Sequence, residues 1–138
     1  MLRYKTHVAD RSMYNTPPTY GVYICGLVLS WIKSLGGVQE IAKINQKKAD
    51  LLYSYLDSSR LFSPTVSKPD RSIMNICFVT GNQETDHKFI AQASSAGFVS
   101  LRGHRSVGGM RASIYNAMPI EGVEKLIQFM SDFEKNNI

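Results

Sequence analysis

The densest chemistry in this sequence lies near its carboxy end, in Gly103-His104-Arg105-Ser106-Val107-Gly108-Gly109-Met110-Arg111-Ala112-Ser113-Ile114-Tyr115-Asn116-Ala117. His104, Arg105 and Arg111 fall within eight positions, Arg102 stands just ahead, and no Asp or Glu occurs from His87 to Ile120. Sequence-local carboxylates therefore cannot neutralise these cations. Arginine presents a planar fork of N–H donors that matches a carboxylate or a phosphate. Gly103, Gly108 and Gly109 bracket the basic residues, and glycine permits positive φ and close backbone approach. The pattern predicts a strand, a tight loop carrying His104 and Arg105, and a second strand carrying Arg111. In that strand Arg111, Ser113 and Tyr115 share one face, and Met110, Ala112 and Ile114 the other. The chemistry expected is binding of a small molecule with two anionic groups. The same residues would also serve a hairpin whose arginines are solvated or pair with distant acids.

A second anion-binding setting stands near the other end. Asn15-Thr16-Pro17-Pro18-Thr19 reads as a helix start, with Asn15 or Thr16 as cap and proline in the first turn. No carboxylate occurs between Asp10 and Glu40. First turns usually favour acids, which complement the helix dipole. Here the N–H groups, the hydroxyls and the amide are left for an outside anion such as a phosphate, with plain capping as the alternative role.

The elements that must hold these residues follow from periodicity. Residues 1–14 read as an irregular lead-in. Tyr20, Tyr23, Ile24, Leu27, Val28, Trp31 and Ile32 recur at helical spacing up to Gly36-Gly37. A helix from Val38 to Ser58 follows, with Ile41, Ile44, Leu51, Leu52 and Tyr55 inward and Lys43, Lys47 and Lys48 on a solvated face. Residues 59–70 predict a short strand with loops, Ser72–Thr80 a strand buried on both faces, and Glu84–Ser95 a helix. Phe98–Leu101 predicts the strand entering the basic loop, and Pro119 opens the last helix. The fold class expected is α+β, a small mixed or antiparallel sheet covered by helices.

The chain has 138 residues, 43% hydrophobic and 20% charged, with a net charge of +5 and a pI near 9.3. That balance fits a soluble globular domain and favours an anionic partner. The lysines are scattered and the aromatics fall in apolar patterns, so no nucleic-acid stripe is expected. Cys25 and Cys77 sit apart in apolar segments, which argues against a metal cluster and for buried free thiols. The start lacks a signal-peptide core, and the apolar run near Tyr23–Leu29 is too short to span a bilayer. A cytoplasmic protein is expected.

Ser12–Thr19, Gly26–Lys33, Gly36-Gly37, Ser72–Ile76 and the whole run from Gly103 to Ala117 resemble, in this order, the phosphoserine aminotransferase family of class-V aminotransferases. The resemblance implies the aspartate aminotransferase (type I) fold and the cofactor pyridoxal 5'-phosphate. It implies exchange of an amino group between glutamate and 3-phosphohydroxypyruvate in serine biosynthesis. On that likeness Asn15 and Thr16 hold the cofactor phosphate of the neighbouring subunit of a homodimer. Arg111 takes the substrate α-carboxylate, and His104 and Arg105 take the distal phosphate or carboxylate. Residues 1–37 then correspond to the end of the large-domain region with its connecting helix, and 38–138 to the small carboxy-terminal domain. Family members are more than twice this long, and their Schiff-base lysine precedes the stretch matching Asn15 by some tens of residues. Lys5 stands in the wrong context to be that lysine, so no catalytic lysine is expected in this chain. A related aminotransferase acting on another doubly anionic acid, and a non-catalytic anion- or partner-binding domain, are the alternatives.

Overall fold

The computed structural model describes residues 2–138 and divides into two compact units, one ending at Glu40 and one running from Ile41 to Ile138. In the first unit, α1 (Tyr4–Ala9) replaces the irregular lead-in expected from the sequence. Six residues are too few to show a period. Helix α2 (Thr19–Ser34) begins later than Asn15 or Thr16 would place it. Pro18 is its N-cap, so neither Asn15 nor Thr16 stands at the N-cap position. Each proline disfavours helical backbone in the residue before it, which pushes the start to Thr19. Gly36 and Gly37 adopt positive φ of 96° and 85°, and Gly37 N–H closes on Ile32 O at 3.0 Å. Helix α2 buries no residue. Tyr20, Tyr23, Leu27 and Trp31 on the expected stripe are exposed, as are Val22 and Leu29 off it.

Helix α3 (Val38–Ser58), in the second unit from Ile41 onward, keeps its predicted limits. Of the residues expected inward, Ile41 and Leu52 are buried and Leu51 and Tyr55 half-buried against the core, but the buried stripe also takes in polar residues. Ile41, Asn45, Lys48, Ala49, Leu52, Tyr53 and Leu56 are buried, whereas Ile44 is exposed. Strand β1 (Ser63–Pro64) is followed by a short 3-10 turn at Lys68–Asp70. Strand β2 (Asn75–Val79) pairs antiparallel with β1 on one side and with β3 (Met110–Ser113) on the other. It buries only Ile76 and Phe78, so the expectation of a strand buried on both faces is corrected: one face packs and the other stays open. Helix α4 (Gln83–Ser95) starts behind Asn82, whose side chain accepts from the N–H groups of Glu84 and Thr85. Helix α5 (Ile120–Lys135) starts behind Pro119.

The strand expected at Phe98–Leu101 does not form. Only an isolated bridge pairs Arg102 with Met110. Ser100 has φ +61°, and a left-handed residue ends an extended ladder. The cysteines also differ from expectation: Cys25 is exposed and Cys77 half-buried.

Four phenylalanines centre the core. Phe62 lies 5.0 Å from Phe89 and 5.8 Å from Phe78, and Phe89 lies 5.1 Å from Phe133, all edge to face. Such contacts add to the burial of large apolar area. Ile76, Met110, Ala112, Val123, Leu126 and Met130 complete the cluster. The core therefore backs the buried face of the sheet and leaves Asn75, Cys77, Arg111 and Ser113 on the other. Among the described residues no single helix is long and apolar enough to cross a membrane.

Candidate functional site

Strand register decides what stands beside Arg111. Asn75 pairs with Ser113, and Cys77 with Arg111, all on the open face. Asn75 Oδ1 accepts from Ser113 Oγ at 3.0 Å and from Tyr115 OH at 3.1 Å. Tyr115 lies past the end of β3 but keeps to the predicted face. Among the described residues no strand contains an Asp or Glu. Among the described residues no carboxylate pairs with Arg111. Its Nε is buried and has no hydrogen-bond partner. A buried charged donor without an acceptor is costly, and an incoming carboxylate would supply the acceptor.

His104 and Arg105 stand elsewhere, on a loop closed at its base. Gly103 N–H donates to Gly109 O at 2.9 Å. A Cβ at Gly103 would collide with Gly108 O, and one at Gly109 would lie 2.6 Å from Val79 Cγ1. Those close approaches, with positive φ at Gly108 and Gly109, explain the three glycines. Val107 and Gly108 N–H both donate to His104 O, at 2.9 and 2.8 Å. Ser106 Oγ lies 2.7 Å from His104 Nδ1, which steadies the ring. His104 and Arg105 are exposed and border a cavity of about 570 Å³ shared with Asn82, Asp86 and His87. Folding thus brings one acid to the basic loop that sequence proximity did not. Asp86 is buried, however, and its Oδ1 already accepts from Thr80 N–H at 2.8 Å and Thr80 Oγ1 at 2.7 Å. Arg111 does not line this cavity. Asn15 and Thr16 are exposed in the other unit, ahead of α2, whose first turn holds no acid.

Two residues near the site escape simple pattern reading. Lys48, expected on a solvated face, is fully buried. Its Nζ donates to Ile114 O at 3.1 Å, Tyr115 O at 2.8 Å and Met118 O at 3.0 Å, gripping the turn that follows β3. Burial lowers its pKa. Asn45, one turn earlier, is also buried and donates through Nδ2 to Asn116 Oδ1 at 2.7 Å. The signal was available: 41, 45, 48, 52 and 56 are spaced 4, 3, 4 and 4 along α3. A lysine and an asparagine on that line read as polar breaks, when both in fact face inward.

The sequence pattern of the family described as aminotransferase class-V matches residues 2–126. The phosphoserine aminotransferase of Shewanella sediminis is 55% identical over 138 residues, covering 99% of this chain and 38% of that protein. That of Nitrosomonas europaea is 53% identical over 137 residues, covering 99% of this chain and 37% of that one. The solved phosphoserine aminotransferase from Bacillus circulans subsp. alkalophilus superposes with a TM-score of 0.92 at 45% identity, over 99% of this chain and 38% of that one. The PLP-bound phosphoserine aminotransferase from Trichomonas vaginalis superposes with a TM-score of 0.84 at 36% identity, over 93% and 37%. The chain spans less than two-fifths of the length of these relatives.

Proposed function

This chain belongs to the aminotransferase class-V family, and from that premise we propose that it is the carboxy-terminal part of a phosphoserine aminotransferase. In that reading the complete enzyme is a cytoplasmic homodimer that exchanges an amino group between glutamate and 3-phosphohydroxypyruvate. Residues 1–37 are the end of its large-domain region and 38–138 its small domain. The observation that carries the proposal is Arg111: a guanidinium with no acid partner and a buried, unpartnered Nε, on a sheet face without carboxylates. It suits the α-carboxylate that every substrate of such an enzyme shares. His104 and Arg105, exposed beside one cavity, suit the distal phosphate or carboxylate.

The residues ahead of α2 fit the phosphate of pyridoxal 5'-phosphate. Asn15 and Thr16 supply an amide and a hydroxyl just ahead of a helix with no acid in its first turn. Asn15 and Thr16 would hold that phosphate from across the dimer, and the bound cofactor supplies the electron sink for the exchange. This chain's own residues bind and orient substrate.

The test places this chain in the matching segment of the Shewanella sediminis relative and measures kinetics with phosphoserine and glutamate. Arg111→Ala is expected to weaken both substrates, by about ten- to a hundred-fold for one lost charge-assisted contact. Arg105→Ala or His104→Ala is expected to penalise phosphoserine most. Asn15→Ala is expected to lower cofactor retention for all substrates alike. The 138-residue chain alone is expected to turn over neither substrate. Equal losses from Arg105→Ala on phosphoserine and on an uncharged amino acid would refute the distal-anion role. Submicromolar nucleic-acid binding that falls steeply with salt would favour the non-catalytic reading.

A further inference from the structure

We infer that Asn75 is a second substrate-binding residue of the Arg111 site, its Nδ2 donating to the carboxylate that Arg111 holds. The inference rests on the reading of Arg111 as the carboxylate site and adds a partner that pattern reading did not single out.

Register comes first. Asn75 stands directly opposite Ser113, and Arg111 stands two residues before Ser113 on the same strand. Asn75 and Arg111 are therefore diagonal neighbours on one face, about 7–8 Å apart at the backbone, within reach of a long side chain. The open face is the right one, because Ile76, Phe78, Met110 and Ala112 point to the core.

The orientation of the amide comes second. Two hydroxyls, Ser113 Oγ and Tyr115 OH, donate to Asn75 Oδ1. Oδ1 has two lone pairs, so both are engaged. Nδ2 then carries two donors away from those hydroxyls. A reversed amide would present Oδ1, the repulsive end, to an anion and deprive both hydroxyl protons of this acceptor. Ser113 and Tyr115 thus act on substrate through Asn75, as positioning residues.

Charge comes third. A carboxylate gripped by a guanidinium still has acceptor capacity on each oxygen. A neutral N–H donor beside the fork fills part of that capacity and adds no charge. The face offers no Asp or Glu to compete for it. The ligand class is the α-carboxylate of amino and keto acids, whatever their distal group.

The experiment uses the complete enzyme with this chain in place, as above. Asn75→Asp sets an anion beside the bound carboxylate in nearly the same volume. It is expected to raise KM for glutamate and for phosphoserine at least tenfold, and to weaken calorimetric binding of 2-oxoglutarate equally. Inorganic phosphate affinity should stay within twofold. Asn75→Ala is expected to give a smaller loss of the same pattern. Should the Asn75 variants fold poorly, as judged by melting temperature, the Ser113→Ala/Tyr115→Phe pair keeps the amide but frees it to turn. That pair is then expected to raise both KM values several-fold. KM values within twofold of the parent for the folded variants, with Arg111→Ala still raising KM tenfold or more, would overturn the role of Asn75 alone. No effect from Arg111→Ala would overturn the carboxylate site, and this inference with it.

Discussion

Lys48 shows how much one side chain can depend on the main chain around it. All three of its ammonium protons have carbonyl acceptors on the turn after β3, and no carboxylate is among its partners. The bonds balance the donors but leave the charge without a counter-ion, and burial lowers the pKa. Lys48→Met is expected to destabilise the chain, because Ile114 O would be left a buried acceptor without a donor, which costs about 1–3 kcal/mol, and the half-buried carbonyls of Tyr115 and Met118 would lose theirs as well. Denaturant unfolding measures it. The pH dependence has a definite sign. With the folded pKa below the unfolded one, the unfolded chain binds the proton more tightly. Stability should therefore rise as pH climbs from the folded pKa towards the ordinary lysine value of about 10.4, and Lys48→Met should flatten that rise. Arg111 was legible in the sequence because strand alternation assigns a face from spacing alone. Lys48 was not, because a charged residue is assigned outward unless its acceptors, 66 to 70 positions away, are already known.

At the scale of elements, α5 and the end of α3 are held by one carboxylate. Glu134 accepts from Tyr55 OH at 2.7 Å, Ser59 Oγ at 2.8 Å and Arg60 N–H at 2.6 Å. Burial by itself would raise the Glu134 pKa, but these donors outweigh it and hold the pKa below the usual carboxylate range. A depressed pKa contributes stability that is present above the unfolded value of about 4.3 and lost as pH falls through the folded one. Glu134→Gln is expected to lower stability at neutral pH by about 0.5–1.5 kcal/mol. Its difference from the parent should shrink below pH 4, as thermal melts across an acid series would show. The start of α5 was readable from Pro119, whereas the punctuation from Asn15 to Pro18 placed the start of α2 too early. The absent strand at Phe98–Leu101 was not readable. Its apolar β-formers describe side chains, whereas the left-handed backbone at Ser100 is imposed by the path into the loop.

For the whole molecule, the contrast lies between a unit with a phenylalanine core and one without buried helical residues. In proteins a helix draws most of its stability from tertiary packing of an apolar face. Helix α2, with its 16 residues and no buried side chain, is expected to exchange its amide protons orders of magnitude faster than β2 or α3 in this chain alone. Hydrogen-exchange mass spectrometry would show it, and equal protection would contradict it. The sequence predicted α2 as amphipathic because its stripe is regular, but Val22 and Leu29 make the other side apolar too. Periodicity finds a helix without saying what covers it. The burial of Lys48 has a further consequence, in chemical reactivity. The other eight lysines are all exposed and should be modified by an amine-directed acylating reagent in the native state. Nζ of Lys48 can meet such a reagent only when α3 parts from the turn after β3, which requires opening the unit from Ile41 to Ile138. Its labelling rate should therefore track the opening of that unit, as a built-in clock set beside eight internal references.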